Sequence, residues 1–479
     1  MTERRLPGKW WLPSTPDKKV AGFLVVTGAG QCQVELADLL YTPGAQRIDA
    51  YAVALTDILT LLPLAHGTAD GKPVSLIDAD GSRWSQRLAA LAPSAQQTIK
   101  PAAVLIGIHL DSPQQAAFRG IEVEIDNLTA WSRISGLSAK LQADGPGQPI
   151  PMAYHLDQPA PVTAQVGDTT ITLTWAGTAT APPRKAMLDG NHVHIHEKAV
   201  ARITTNGPAS WNSFHDTVSS LQDLLTLASR FPCAVRSMTL LADQDSRTRR
   251  IELLHPTVPQ PQENQQTDAR RFLFTLDGHD LGELLQRWTV LRQKVGMGIG
   301  ALFGLDYLPD SFYENKLFNA AGTAEAIHRA LLPEDIDLPP EVYKQAIETI
   351  DDEVADKAAR DWIRGRLRNE PGIKRRLRRL ASIPDQQAVT ELLTDIDTWA
   401  KWTGNARNAV GHIDDQGLNK IPEDARYLLA SLTSALAHLV LLQHLGVSAD
   451  AQRRAACDIY GAPARAFRRE IDKLNATPS

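Results

Sequence analysis

The chain has 479 residues, 43% of them hydrophobic and 22% charged, which suits an ordinary globular protein of two or three domains with a sizeable core. Its net charge of −5 excludes a global basic field for nucleic acid, and Cys32, Cys233 and Cys457 lie too far apart in sequence for a zinc ribbon or a disulfide framework. The start, Met1 to Pro7, has no apolar signal core and no run approaches the length needed to span a bilayer, so the expectation is a soluble cytoplasmic protein without a membrane partner.

Taken in chain order, residues 1 to about 205 read as strands. Short β-branched or alternating runs recur at 20–27, 33–40, 73–77, 102–109, 120–125, 169–175 and 192–203, separated by Gly, Pro and Asp turns. They predict an antiparallel β-sandwich or open barrel with short helical insertions. Val25-Val26-Thr27-Gly28-Ala29-Gly30 imitates a dinucleotide-binding turn, but Gln31 to Leu36 alternates like a strand where such a site needs a helix N-terminus. A hairpin is the better reading. His192, His194 and His196 share one strand face, yet without a carboxylate or further ligand in view they are expected to face solvent and hold no metal.

Residues 206–280 mix a helix over 211–229, amphipathic through Phe214, Val218, Leu221, Leu224, Leu225 and Leu227, with strands near 238–241 and 250–254. A Pro/Gln-rich stretch over 256–267 marks a projecting loop, and the domain boundary falls between 265 and 282. The expected organisation is a β-rich domain over 1–205, a mixed α/β extension over 206–280 and a helical bundle over 281–479. In class this is an α+β multidomain chain, with an N-terminal antiparallel β-rich domain before a C-terminal all-α bundle.

From Leu281 the pattern is helical. Leu284, Trp288, Leu291 and Val295 mark one helix, 312–332 a second, and 422–445 a long apolar one that stops at Gly446. Gly296-Met297-Gly298-Ile299-Gly300 lacks the Lys-Ser/Thr of a phosphate loop and continues as apolar helix or turn. Between 341 and 379 the charge is segregated. Glu348, Asp351, Asp352, Glu353 and Asp356 come first, then Arg364, Arg366, Arg368, Lys374, Arg375, Arg376, Arg378 and Arg379, with a turn at Glu370-Pro371-Gly372. Such a run is either a solvated helix face or a local patch for RNA. With 26 Lys and Arg against 28 Asp and Glu over 281–479, RNA contact must rest on local patches of this kind. A polar helix over 450–474 follows.

Arg407-Asn408-Ala409-Val410-Gly411-His412 holds a cation, an amide and an imidazole within six residues. On a helix Asn408 and His412 share a face, and Arg407 must reach back with its long side chain. A histidine can take or return a proton near neutrality, a guanidinium matches a phosphate, and an amide can orient either. Cleaving RNA by attack of its own 2′-hydroxyl on the adjacent phosphate needs those services and no metal or cofactor.

The spacing Arg407-Asn408-x-x-x-His412 resembles the signature of the HEPN superfamily, small α-helical domains that include many metal-independent endoribonucleases. It follows the amphipathic run Val389, Leu392, Leu393, Ile396 and Trp399 and precedes the long apolar helix. Gly8-Lys9-Trp10-Trp11-Leu12-Pro13, Val20-Ala21-Gly22-Phe23-Leu24 and Leu128-Thr129-Ala130-Trp131 are similar to the N-terminal domain of ApeA-type anti-phage proteins. The resemblance implies that Arg407, Asn408 and His412 are catalytic and that Glu325, on the second helix, holds Arg407. It implies a homodimer that pairs two motifs, and abortive infection in which host RNA is cut after a phage-derived trigger. Two other classes stay open: a non-catalytic RNA-binding or regulatory HEPN module, and a ligand-sensing protein whose function sits in the β domain.

Overall fold

Period-two alternation dominates the first half of the chain, and that half folds as sheet. The computed structural model describes residues 3–27, 31–41, 45–47, 53–55, 61–87, 94–141, 152–180, 194–244, 247–257, 268–307 and 312–476. Two compact units divide at Leu285/Gln286. The first contains β1 (Arg4–Trp11), β2 (Val20–Val26), β3 (Cys32–Leu36), β4 (Ala45–Arg47), β5 (Val53–Leu55), β6 (Leu61–Ala69), β7 (Lys72–Arg87) and β8 (Ser94–Ile106). After these come β9 (Phe118–Ile125), α1 (Leu128–Ser132), β10 (Leu137–Leu141), β11 (Met152–Leu156), β12 (Val162–Val166), β13 (Thr169–Thr180), β14 (His194–Ala209), α2 (His215–Ser229), β15 (Val235–Gln244) and β16 (Arg247–Leu254).

Twelve of these strands form one antiparallel ladder in the order β12-β13-β14-β9-β15-β16-β8-β3-β2-β1-β6-β7. β7 also pairs with β8, Leu76 opposite Val104, and so closes β8, β3, β2, β1, β6 and β7 into a six-stranded barrel. Its interior is filled by Trp10, Leu24, Val34, Ala65, Leu76, Ile99 and Val104. Closure leaves those strands no open edge to aggregate. β8 is shared: Ile99 faces Val34 of β3, while Leu105 faces Leu253 of β16, so the open half of the ladder continues from the barrel wall.

The barrel is closed, where the sequence suggested a sandwich or open barrel, because β1 and β6 bridge its gap. Neither reads as a strand: Pro7 and Gly8 interrupt the first, Pro63 and Gly67 the second, and both residue types count against strand character. The 206–280 stretch is not a separate extension either. β15 and β16 stand between β9 and β8 in the same ladder, since strand partnership is not bound to chain order. The hairpin expected near Val25 is present as β2 and β3, although Gly28 to Gly30 lie outside the described residues, as do His192 and the loop 258–267. His196 is exposed opposite Thr178.

β9 shows how the open sheet separates its faces. Ile121, Val123 and Ile125 are buried on one side. On the other, Glu122 accepts from Arg202 at 2.6 Å and Arg250 at 2.5 Å, and Glu124 from Lys198 at 2.5 Å. Burial opposes the charge on Glu122, but the two guanidinium groups hold its carboxyl below the usual range.

Four histidines are expected to give the fold a pH dependence. His66 reaches the Leu110 carbonyl through Nε2 at 2.8 Å and stacks on His109 with ring centroids 4.7 Å apart. Burial lowers its pKa against the pull of that bond, and the His109 ring adds to the lowering. His255, His328 and His444 are lowered too, each first by burial. A folded pKa below the ordinary 6.5 means that the unfolded chain binds more protons, so this stability is complete above pH 6.5 and is lost as pH falls below it toward the lowered folded value. The melting temperature is therefore expected to drop between pH 7.5 and 5.5, with a flatter slope in His66→Gln, which keeps a donor for Leu110. A Tm constant over that range refutes it.

The second unit is helical, with α3 (Leu281–Tyr307), α4 (Tyr313–Leu331), α5 (Pro340–Glu353), α6 (Lys357–Arg364), α7 (Ile373–Ala381), α8 (Gln386–Leu393), α9 (Ile396–His412), α10 (Asp415–Leu418), α11 (Glu423–Leu445), α12 (Ala449–Arg454) and α13 (Gly461–Ala476). α4, α7, α9 and α11 pack against one another through Leu317, Ala324, Ile327, Leu377, Trp399, Ala406, Leu432 and Leu436, all essentially inaccessible. The glycine run 296–300 sits inside α3. By length and composition α11 is apolar enough to cross a bilayer, which corrects the sequence expectation that no run comes near that length. Most of the helix is buried among its neighbours, and an Ala/Leu-rich core helix meets the same composition test.

Candidate functional site

The motif occupies the last turns of α9. That helix starts sharply: Thr394 has φ +59°, and Asp395 caps it by accepting from the backbone N–H of Asp397 and Thr398. The apolar run from Val389 to Trp399 therefore belongs to two helices, α8 and α9, rather than one. α9 ends at His412. Ile413 turns left-handed with φ 54° and ψ 47°, and Asp414 N–H closes the end on the Ala409 carbonyl at 2.8 Å.

Arg407 is about one-third exposed, and its guanidinium faces three groups. Nη2 donates to Glu325 of α4 at 3.4 Å, Nη1 donates to Asn408 Oδ1 at 3.3 Å, and Cζ stands 5.5 Å from the Phe318 ring. Glu325 is the more buried partner, with its side chain 16% exposed, so the carboxylate restrains the cation while leaving one flank open. Asn408 and His412 are both exposed and one helical turn apart. His412 makes no hydrogen bond among the described residues. The structure thus brings Arg407, Asn408 and Glu325 together and leaves His412 exposed at the helix end, one turn after Asn408.

Ile413 is 91% exposed, and a β-branched residue in the left-handed region is strained by about 1–2 kcal/mol. Ile413→Gly is expected to raise stability by up to about 1 kcal/mol, since relief of that strain exceeds the added freedom of the unfolded chain. A urea midpoint that does not rise would show the strain to be absent.

The basic run divides. Arg364 pairs with Asp351 at 2.8 Å, Arg375 with Asp335 and Asp337 at 2.7 Å each, and Arg378 with Asp397. Arg379 lies 3.9 Å from Asp335. Arg376 is 4% exposed and bonded to Glu370 and to the Pro371 carbonyl, so it props the turn before α7 rather than facing a ligand. Arg366 lies over the exposed Trp362 ring at 4.5 Å, and Arg366, Arg368 and Lys374 have no carboxylate partner among the described residues. Lys374 also lies against the motif helix, closer to the motif than the Arg378–Asp397 pair at the start of that helix. Its Cγ stands 2.9 Å from where a Cβ on Gly404 would be, one turn before Arg407, and glycine is what permits that approach. Phe318 and Lys374 were not singled out from sequence, or not as neighbours of the motif, because their link to it is made only by the packing of α4 and α7 on α9.

Comparison with known proteins gives two matches. A family model described as ApeA N-terminal domain 1 matches residues 5–288, and one described as Apea-like HEPN matches residues 318–451, a span that includes Glu325, Lys374 and the whole motif. No curated protein and no solved structure matches the chain. With the first model covering more than half of the chain and the second its helical core, this protein belongs to the ApeA-like HEPN family.

Proposed function

We propose that this protein is a metal-independent endoribonuclease of anti-phage defence, acting in the cytoplasm on host RNA. The observation that carries the reading is Arg407, fixed by Glu325 and Asn408, five residues before an exposed imidazole on the same helix. Arg407 binds the scissile phosphate and the charge that grows on it. His412 takes the proton of the 2′-hydroxyl or returns one to the leaving 5′-oxygen, and Asn408 orients Arg407 or His412. The products are a 2′,3′-cyclic phosphate and a 5′-hydroxyl.

One motif supplies one histidine, whereas the reaction uses an acceptor and a donor. A two-fold homodimer with His412 of both copies in a single cleft meets that need. The β-rich unit senses a phage-derived trigger. The test is cleavage of RNA in EDTA, run with protein from phage-challenged cells, with the fragment ends identified. Cyclic phosphates support the reading; 3′-hydroxyl ends or strict metal dependence overturn it. Sedimentation of the active species as a monomer overturns the shared cleft. Glu325→Gln keeps the shape of the side chain and removes its charge, so Arg407 is held less firmly and the rate falls roughly tenfold, about 1.4 kcal/mol at the transition state. An unchanged rate would leave Glu325 without a part in positioning Arg407.

A further inference from the structure

α4 presents one row of residues to the motif. Phe318, Gly322 and Glu325 are spaced four and three apart, so they follow one another along a single face of the helix. Glu325 holds Arg407 at 3.4 Å, and the Phe318 ring stands 5.5 Å from the same guanidinium. α9 makes room for that ring: a Cβ on Gly411 would come within 3.2 Å of Phe318 Cε2. Even so the phenyl is 40% exposed, a flat apolar surface left in water beside the motif's cation.

Gly322 keeps it open. A helical side chain leans toward the N-terminus and covers the turn before it, so a larger residue at 322 would lie over the Phe318 ring. Gly322 is itself exposed, and nothing stands within 4 Å of where its Cβ would be, so packing does not demand glycine there. Glycine weakens a helix interior, and the effect it has at this position is to leave the ring uncovered.

From this row we infer that Phe318 is the stacking surface for an unpaired base next to the scissile phosphate, and that the substrate is single-stranded RNA. The inference rests on the nuclease reading for its substrate and names the form in which that substrate is bound. Attack by a 2′-hydroxyl needs the 2′-oxygen, the phosphorus and the leaving 5′-oxygen in line, and the stacked, paired geometry of an RNA duplex keeps them out of line. A nucleotide therefore leaves its stack to react, and an aromatic face beside the phosphate site replaces the neighbour it loses.

The test is binding by full-length His412→Ala protein from phage-challenged cells, which should hold RNA without cutting it, with labelled oligoadenylate as a single strand and in duplex with oligouridylate. The single strand is expected to bind more tightly than the duplex. In that background Phe318→Leu keeps an apolar cover on Arg407 but has no flat face, and should weaken single-strand binding about tenfold, the worth of one base on an aromatic ring. Phe318→Trp should bind at least as tightly as the parent. Gly322→Leu should weaken binding as Phe318→Leu does while raising the melting temperature, because leucine favours a helix where glycine does not. A purely structural ring predicts no loss with Gly322→Leu. The inference is overturned if Phe318→Leu or Gly322→Leu binds the strand as the parent does, or if strand and duplex bind alike. If wild type cleaves RNA while these variants lose nothing, only the stacking role falls; if the parent binds no RNA, the nuclease reading falls with it.

Discussion

His412→Ala is expected to reduce RNA cleavage by about 10²–10⁴-fold, the usual worth of a positioned acid or base. It should leave the fold intact. The side chain is exposed and makes no hydrogen bond among the described residues, so its loss should change stability by no more than about 0.5 kcal/mol. Arg407→Ala should cost a similar factor for a different reason: the phosphate loses its cation, and Glu325 is left as a carboxylate with its side chain only 16% exposed. Arg407→Lys separates charge from geometry, because an ammonium cannot span Glu325 and Asn408 as the guanidinium fork does, and a rate between wild type and alanine is the expected result. The readout is growth during phage challenge, with total RNA examined for new fragments. Cells that express either alanine variant should neither survive as a population nor fragment RNA. Protection equal to wild type by both variants would make the motif structural and move the search to the β-rich unit.

The motif was legible because its chemistry is local: three side chains within six residues on one helix. Glu325 was not legible in that sense. It lies 82 residues before Arg407, and only the family resemblance singled it out; the packing of α4 on α9 is what brings them to 3.4 Å. The same holds for Arg375 and Arg378 of the basic run, whose partners Asp335, Asp337 and Asp397 sit outside it, though Arg376 pairs with Glu370 within it. Sequence shows where the arginines are, but only tertiary contact shows which of them are already neutralised. The break between α8 and α9 was masked by unbroken apolar spacing, although Asp395 is an N-cap residue type that could have revealed it. In the first unit, strand character was read in most alternating β-branched runs but missed in β4, β5, β10, β11 and β12, and in β1 and β6, where proline and glycine interrupt the pattern and only the closed barrel shows their place.

Gly67 shows what that place is. It lies directly opposite Trp10 in the β1–β6 ladder, and the indole folds across it: a Cβ on Gly67 would stand 2.1 Å from Cε3 and 2.4 Å from Cζ3 of a fully buried ring. An aromatic ring laid over a strand glycine shields the exposed backbone and fills the barrel with one residue from each strand. Trp10→Ala is therefore expected to cost about 3–5 kcal/mol, a large part of the stability of a typical domain. Gly67→Ala should cost about 1–3 kcal/mol by pushing the ring off its site. The two costs should not add, because once the indole is gone the new methyl group enters the space it left. In urea titrations of wild type, both single variants and the double variant, Gly67→Ala should be nearly neutral in the Trp10→Ala background. Additive losses would mean that the ring does not rest on Gly67. The coupling would then lie elsewhere in the barrel, and the glycine in β6 would have to be explained by its backbone alone.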